Sequence, residues 1–220
     1  MAIAILWNSP HDESIPEPAR NQPVAILAGA HSGPFAEGER AVAPFREVAT
    51  PLVDFSGPMP FVAAQRLFDA DYPNGRRYYW KSHYLDSLDD VAVSTLVDHA
   101  RKRPSKLSSV DVWALGGAIR REPAGGSAFS HRDRPFLLGI EANWDDAHED
   151  ARNVAWARGL FADMQRFSHG GMYLNFPGLT EEGDTLLRQS FGASYERLQA
   201  VKTKYDPDNV FSSTFNIAPA

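Results

Sequence analysis

The sequence predicts an α+β protein, in which a mostly antiparallel β-sheet is covered by helices on one face. Apolar runs of strand length recur along the chain, and segments with apolar residues at helical spacing separate them. These helical segments come in pairs as well as singly, so the intervals between strands are too irregular for a doubly wound parallel sheet. An antiparallel sheet is therefore the better prediction.

The first third of the chain is predicted to hold two strands and then two helices, at residues 1–7, 23–30, 36–50 and 60–69. Both strands are short apolar runs, and the loop between them contains prolines. The two helices have apolar side chains at helical spacing, and a proline-rich turn separates them.

The middle of the chain alternates strand and helix, with strands at 76–85, 109–120 and 136–144 and helices at 89–103 and 145–167. The first of these strands follows Pro73, Asn74 and Gly75, which are turn residues. The helix after it has acidic residues in its first turn and basic ones in its last, and Pro104 ends it.

The last part is predicted to contain a short strand at 171–176 and one or two helices over 182–205. The strand is closed by Pro177 and Gly178. The helical segment is interrupted near Gly192 and ends before Pro207.

The composition excludes several classes of protein. With 220 residues, a net charge of -6 and no cysteine, the chain has no disulfides, thiolate metal sites or cysteine nucleophiles. It has no basic stripe for nucleic acid and no apolar run long enough to cross a membrane. The apolar start lacks a basic region typical of a signal peptide, so we expect a cytoplasmic protein that binds neither nucleic acid nor membrane.

The familiar catalytic fingerprints are missing. There is no glycine-rich phosphate loop, no serine hydrolase elbow and no zinc-protease motif. The seven histidines have no metal-ligand spacing, so we predict no metal site.

Glu141 is a candidate catalytic residue because it interrupts the apolar run at 136–144. By the period-two geometry of a strand it shares a face with Gly139 and Asn143. Two interpretations stay open: the carboxylate lies at a solvated edge, or it is buried with a raised pKa and faces a pocket.

His131 and the aromatic residues at 78–80 each have two interpretations as well. His131 begins the charged run His-Arg-Asp-Arg, which either caps the next strand or places a proton-handling imidazole at a pocket rim. Tyr78 and Trp80 are either core residues or part of a binding site.

Several blocks of the sequence together resemble the FAD-linked oxidases similar to berberine bridge enzyme. They are 75–82 (GRRYYWKS), 116–119 (GGAI), 128–132 (AFSHR), 173–176 (YLNF) and 191–211, which contains FGASYERL and VKTKYDPDNVF. The last block is the strongest. Their order and spacing cover most of the chain from Gly75 onward.

The resemblance implies that residues 1–220 form one domain, the substrate-binding, C-terminal part of such an oxidase, with its family motif region at 170–220. FAD would be bound mainly by a domain absent from this chain. The expected partners are a small-molecule substrate and a separate FAD-binding domain or subunit; if the chain is alone, a homo-oligomer is expected.

The resemblance also implies roles for individual residues. Tyr173, Glu141 and His131 are the catalytic candidates. Asn175, Phe176 and Asn216 are expected beside the cofactor, and Trp80, Tyr78 and Gly139 beside the substrate.

Two departures from the family pattern bear on catalysis. Plant members commonly have a tyrosine that acts as base where Phe176 stands, and phenylalanine cannot accept a proton. The family's C-terminal segment also differs from residues 212–217 (SSTFNI).

Two functions follow from these observations. The first is the substrate-binding portion of an FAD-dependent oxidase that oxidises an alcohol or a related small molecule with dioxygen, and that is inactive alone. The alternative is a non-catalytic small-molecule-binding or dimerisation module that kept the fold and lost flavin chemistry.

Overall fold

The computed structural model describes residues 2–11, 13, 15–179, 183–212 and 215–220. It contains the strands β1 (Ala2–Asn8), β2 (Pro23–Gly29), β3 (Arg77–Leu85), β4 (Ser109–Ala114) and β5 (Phe136–Trp144). They form one sheet in the order β2-β1-β4-β5-β3, and every neighbouring pair is antiparallel.

The helices within the described residues are α1 (Phe35–Val48), α2 (Phe61–Gln65), α3 (Asp90–Arg101), α4 (Asp150–Met164), α5 (Gly183–Phe191) and α6 (Tyr195–Tyr205). The predicted α+β class is confirmed. None of the described helices is long and apolar enough to cross a membrane.

The predicted strand at 109–120 is too long. It ends at Ala114, where the N–H of Leu115 turns away to donate to the carbonyl of Pro135 at 2.8 Å. Gly117 then adopts a φ of +58°, which favours glycine, and a 3₁₀ turn follows over Gly117–Arg120.

The predicted strand at 171–176 is wrong. Gly170 and Gly171 both have positive φ, and the N–H of Phe176 bonds back to the carbonyl of Tyr173 at 2.8 Å, so the segment is a turn. It still lies along the free edge of β3, because the N–H of Gly178 donates to the carbonyl of Trp80 at 2.6 Å.

Other boundaries shift by a few residues. The predicted helix at 60–69 is regular only over α2, and the one at 145–167 is regular only over α4, with 3₁₀ turns on either side. The first strand was predicted to begin at Met1 and the last helical segment at Glu182, and both residues lie outside the described part of the chain, as do Ser213 and Thr214.

One face of the sheet carries the main core. Alternate residues of β5, among them Leu138 and Ile140, point toward α3 and α4 and are fully buried. Leu160 and Met164 of α4 meet them and are also fully buried. This packing fixes β5 rigidly, and the opposite side chains of β5 are held in place with it.

Asp89 caps the start of α3, since its side chain accepts a hydrogen bond from the N–H of Ala92 at 2.8 Å. We expect Asp89→Ala to lower the free energy of unfolding by about 1 kcal/mol, because that N–H loses its partner. Urea denaturation measures the change. Asp89→Asn keeps an accepting oxygen, so it should cost only a few tenths of a kcal/mol, and equal losses in the two variants would contradict the capping role.

The segment that holds α1 and α2 is unlike the rest of the chain. Neither helix contains a buried residue. Its large apolar side chains are exposed, among them Phe35, Val48, Leu52, Phe55, Phe61 and Val62. We refer to residues 35–68 as the exposed apolar segment.

Candidate functional site

The sheet face turned away from α3 and α4 gathers polar and aromatic side chains. In the register, Glu141 of β5 lies opposite Trp80 of β3 on one side and opposite Ser109 of β4 on the other. Asp111 lies opposite Gly139, one step further along the same face. Asp111 and Glu141 are therefore diagonal neighbours on adjacent strands.

Glu141 is buried, with 3% of its surface exposed, so the interpretation as a solvated edge residue is wrong. The hydroxyl of Tyr72, which lies before β3, donates to its Oε2 at 2.6 Å. Burial raises the pKa of Glu141, while the hydrogen bonds from Tyr72 and Asp111 oppose that rise. Burial also raises the pKa of Tyr72, and the Glu141 charge adds to it, so this phenol remains a donor.

Asp111 is equally buried, at 3% exposed, and its carboxyl group hydrogen bonds to that of Glu141. Burial raises its pKa well above the ordinary value, and the charge of Glu141 raises it further. The Ser109 hydroxyl is close enough to this carboxyl group to lower its pKa. Among the residues described, however, neither Oδ1 of Asp111 nor Oγ of Ser109 has a partner within normal hydrogen-bond distance.

Aromatic rings surround these carboxyl groups. Trp80 and Phe176 meet edge to face, with ring centroids 5.2 Å apart, and Trp113 lies 5.7 Å from Phe176. The ring of Trp80 is held by its Nε1–H, which donates to Oδ1 of Asn143 at 2.6 Å. We call Trp80, Trp113 and Phe176 the aromatic wall.

Gly139 lies directly beneath two of these rings, those of Trp113 and Phe176. A Cβ at this position would lie 2.5 Å from Cζ3 of Trp113 and 3.3 Å from Cε2 of Phe176. No Cβ tolerates the first distance, so Trp113 packs there only because residue 139 is glycine. Gly139 was predicted to lie beside the substrate. The rings of Trp113 and Phe176 occupy the space directly over it, so they would line the same part of the site.

We expect Gly139→Ala to displace Trp113 and to lower the free energy of unfolding by about 1–3 kcal/mol, the range for overpacked sites. The emission spectrum of the tryptophans should shift in the same variant. Gly116→Ala is the control, because a Cβ there would meet nothing within 4 Å. An unchanged stability and spectrum in Gly139→Ala would contradict this account.

Tyr173 and Asn175 lie at the border of the aromatic wall. The ring of Tyr173 meets Phe176 edge to face at 5.4 Å, and its hydroxyl accepts a hydrogen bond from Nδ2 of Asn175 at 2.7 Å. The N–H of Tyr173 donates to the Oγ of Ser82 at 2.9 Å, which ties the turn to β3. The structure thus brings Tyr173, Asn175 and Phe176 to the same face as Glu141.

Tyr78 and His131 lie toward opposite ends of β3. Tyr78 contacts Trp80 at 5.6 Å and donates to the carbonyl of Pro73 at 2.7 Å. His131 stacks on Tyr84, four residues from Trp80 and so about 13 Å along the strand. The structure therefore does not bring His131 to Glu141.

His131 is bound to the main chain instead. Its Nε2 lies 3.0 Å from the carbonyl of Gln189 in α5, so that nitrogen carries the proton. Burial lowers the pKa of His131. Asn216 is half-buried in a C-terminal segment tied to α6, where Gln199 donates to the carbonyl of Ala218 at 3.2 Å. The roles assigned to all nine residues stay predictions.

Sequence reasoning missed Asp111 and Tyr72. Asp111 left a usable signal, because it stands between valines in a strand and shares the face of Ser109 and Trp113. Its contact with Glu141 depends on the pairing of β4 with β5, which the sequence does not state. Tyr72 left no signal, since it comes from an irregular segment. The described residues contain no cluster of three or more acidic or histidine side chains that could hold a metal ion.

Residues 172–218 match the family model described as "Berberine and berberine like". Among curated proteins, the chain is 30% identical over 193 residues to the uncharacterised FAD-linked oxidoreductase YgaK of Bacillus subtilis, covering 87% of this chain and 42% of that protein. It is 27% identical over 143 residues to the aclacinomycin-N/aclacinomycin-A oxidase of Streptomyces galilaeus, covering 57% of this chain and 26% of that oxidase.

Solved structures share the fold. Berberine bridge enzyme-like 28 of Arabidopsis thaliana superposes with a TM-score of 0.76 at 18% identity, over 100% of this chain and 50% of the other. Berberine bridge enzyme of Eschscholzia californica gives 0.73 at 17% identity, over 100% and 48%. The chain therefore spans about half the length of the proteins that it matches.

The chain is therefore similar to FAD-linked oxidoreductases. Among them it is similar to proteins of the berberine bridge type, and the resemblance stated from the sequence is confirmed.

Proposed function

We propose that this chain is the substrate-binding portion of an FAD-dependent oxidase, which oxidises an alcohol or a related small molecule with dioxygen as acceptor. One observation carries the proposal: a buried pair of carboxyl groups stands beside an aromatic wall on the sheet face that the helices leave uncovered. That face belongs to a chain similar to FAD-linked oxidoreductases over most of its length. We expect the chain to be inactive alone.

The residues present fit the ring end of FAD. The aromatic wall offers flat apolar contact, and Asn175 adds an amide at its border. Oδ1 of Asp111 is a buried acceptor with no partner in the part of the chain that the structure describes. The pyrophosphate end has no such match, because the sequence lacks a glycine-rich phosphate loop. The ring would therefore contact Phe176 and Asn175, and a separate FAD-binding domain or subunit would hold the rest.

Each side chain on this face then has a task. FAD, when bound, accepts a hydride that dioxygen later removes. Glu141 is placed to accept a proton from the substrate, since burial raises its pKa above the ordinary carboxyl value and makes it a stronger base. Trp80 and Phe176 exclude water from that carboxyl group, and Gly139 leaves the room in which Trp113 packs.

Phe176 favours a second candidate, a non-catalytic small-molecule-binding or dimerisation module. Phenylalanine has no group that can take up a proton. The apolar side chains of the exposed apolar segment are also in contact with solvent, and packing against a second copy of the chain would bury them.

Two measurements separate the candidates. The chain purified alone should be colourless and should consume no oxygen with a panel of alcohols and added FAD. Co-expression with the FAD-binding half of the Bacillus subtilis relative should give a yellow complex that consumes oxygen, and Glu141→Gln should remove that activity while the flavin stays bound.

Turnover by the chain alone would contradict the proposed function. A colourless protein that sediments as a stable dimer, and gains neither flavin nor turnover from the co-expressed half, would favour the binding module.

A further inference from the structure

A substrate hydroxyl on this face needs a proton acceptor that Phe176 cannot provide. The ring of Phe176 lies over Gly139. Gly139 is paired directly with Asp111 across the β4–β5 ladder. Asp111 and Glu141 are therefore the carboxyl-bearing residues next to Gly139 on this face of the sheet.

The contact between Asp111 and Glu141 itself requires a proton. Two ionised carboxylates offer only acceptor atoms, so a hydrogen bond between them forms only when one of them is protonated. Both groups are 3% exposed, and water is therefore a poor competitor for that proton. A pair that keeps this contact would hold one proton and one negative charge, as other carboxyl pairs that share a site do.

Asp111 adds an atom that is ready for a ligand. Its Oδ1 is buried without a hydrogen-bond partner among the described residues, although buried acceptors are nearly always satisfied. A substrate hydroxyl that reaches the pair would supply the missing donor. The adjoining aromatic wall suits an apolar or aromatic body on the same molecule.

Tyr72 fixes the other member of the pair. Its hydroxyl donates to Oε2 of Glu141 at 2.6 Å, and its ring meets Trp80 edge to face at 5.4 Å. A donated hydrogen bond stabilises the ionised form of Glu141. Tyr72 thus biases the negative charge toward Glu141 and the shared proton toward Asp111.

We propose that Asp111 and Glu141 act as one proton-accepting unit for a hydroxyl-bearing substrate, with Tyr72 as a positioning residue. The proposal rests on the proposed function. The O–H bond of the substrate would break and its proton would join the pair, while FAD, if held by the separate domain, would supply the acceptor for the hydride that leaves the carbon as it becomes a carbonyl. The hydride and the pair's proton would reduce dioxygen to hydrogen peroxide, which returns the pair to one proton.

Carboxyl-labelled ¹³C NMR titration of the full chain tests the unit without flavin. In the wild type the two carboxyl signals should titrate together. Glu141→Gln should lower the pKa of Asp111 by about one pH unit or more, because the neighbouring charge that raises it disappears. Tyr72→Phe should raise the pKa of Glu141, because the donated hydrogen bond is lost. A purely structural role would not produce opposite shifts in the two variants.

A pair of small ligands tests whether the carboxyl groups of Asp111 and Glu141 bind a hydroxyl group. Benzyl alcohol brings an aromatic ring and a hydroxyl, and benzyl methyl ether has the same ring without the donor. Benzyl alcohol should shift the Asp111 and Glu141 signals, and the ether should leave them unchanged. Asp98→Asn, on the exposed side of α3, is the control variant and should behave as the wild type in every measurement.

The outcomes are distinct. Independent titration of the two groups, or a Glu141→Gln variant that leaves the pKa of Asp111 unchanged, would overturn the unit. Equal responses to the alcohol and the ether, or no response to either, would overturn its role as acceptor for a hydroxyl. Failure of the co-expressed complex to consume oxygen would overturn the proposed function, and the redox step with it, whatever the titration shows.

Discussion

Replacement of Leu160 by alanine is expected to lower the free energy of unfolding by about 2–5 kcal/mol, which is the range for a leucine truncated inside a packed core. Leu160 of α4 is fully buried and belongs to the cluster that joins α4 to the even-numbered residues of β5. Its neighbours are held by two elements, so they cannot collapse into the space that the side chain leaves. Urea denaturation with a two-state fit measures the loss.

Leu52→Ala is the matched control, because the same atoms are removed from a side chain that is 69% exposed. It should change stability by no more than about 0.5 kcal/mol. Similar losses in the two variants would show that α4 is not the support of the sheet. The site depends on this support, since β5 turns Leu138 and Ile140 toward α4 and Glu141 away from it.

The sequence was most informative where hydrophobicity alone decides the structure. The apolar run at 136–144 predicted β5 with its bounds, because a strand buried on both faces is apolar along most of its length. Predictions failed where backbone conformation decides. Glycines at positive φ end the strand after Ala114 and turn the chain at 170–171, and a run such as Tyr-Leu-Asn-Phe looks the same in a strand or a turn.

The candidate site was predictable only in part for the same reason. Glu141 was found because one acid in an apolar strand is conspicuous, and the face it shares with Gly139 followed from period two. Asp111 and Tyr72 reach Glu141 through long-range pairing, which separates residues by 30 positions or more along the chain. His131 was a catalytic candidate because of its charged run and its place in a block that resembles the family, but it stacks on Tyr84, away from the Trp80 that lies opposite Glu141.

The Asp111–Glu141 pair should also make the stability of the fold depend on pH. Both pKa values are raised in the folded state, so the folded chain binds more protons than the unfolded chain above the ordinary carboxyl pKa of about 4. The free energy of unfolding therefore falls as pH rises from about 4 toward the raised values. Each extra proton held in the folded state contributes about 1.4 kcal/mol per pH unit within that window.

Asp111→Asn should flatten this dependence, because it removes the carboxyl group whose pKa is raised well above its ordinary value. At pH 4 its stability should lie near that of the wild type, since both carboxyl groups of the wild type are then mostly protonated. At neutral pH the variant should be the more stable protein, because it no longer has to hold two acids in a buried space. Urea denaturation from pH 4 to pH 8 gives the curves, with Asp98→Asn expected to run parallel to the wild type. If the Asp111→Asn curve is also parallel, the two carboxyl groups titrate as they do in the unfolded chain, and neither is held in a raised-pKa state by the sheet.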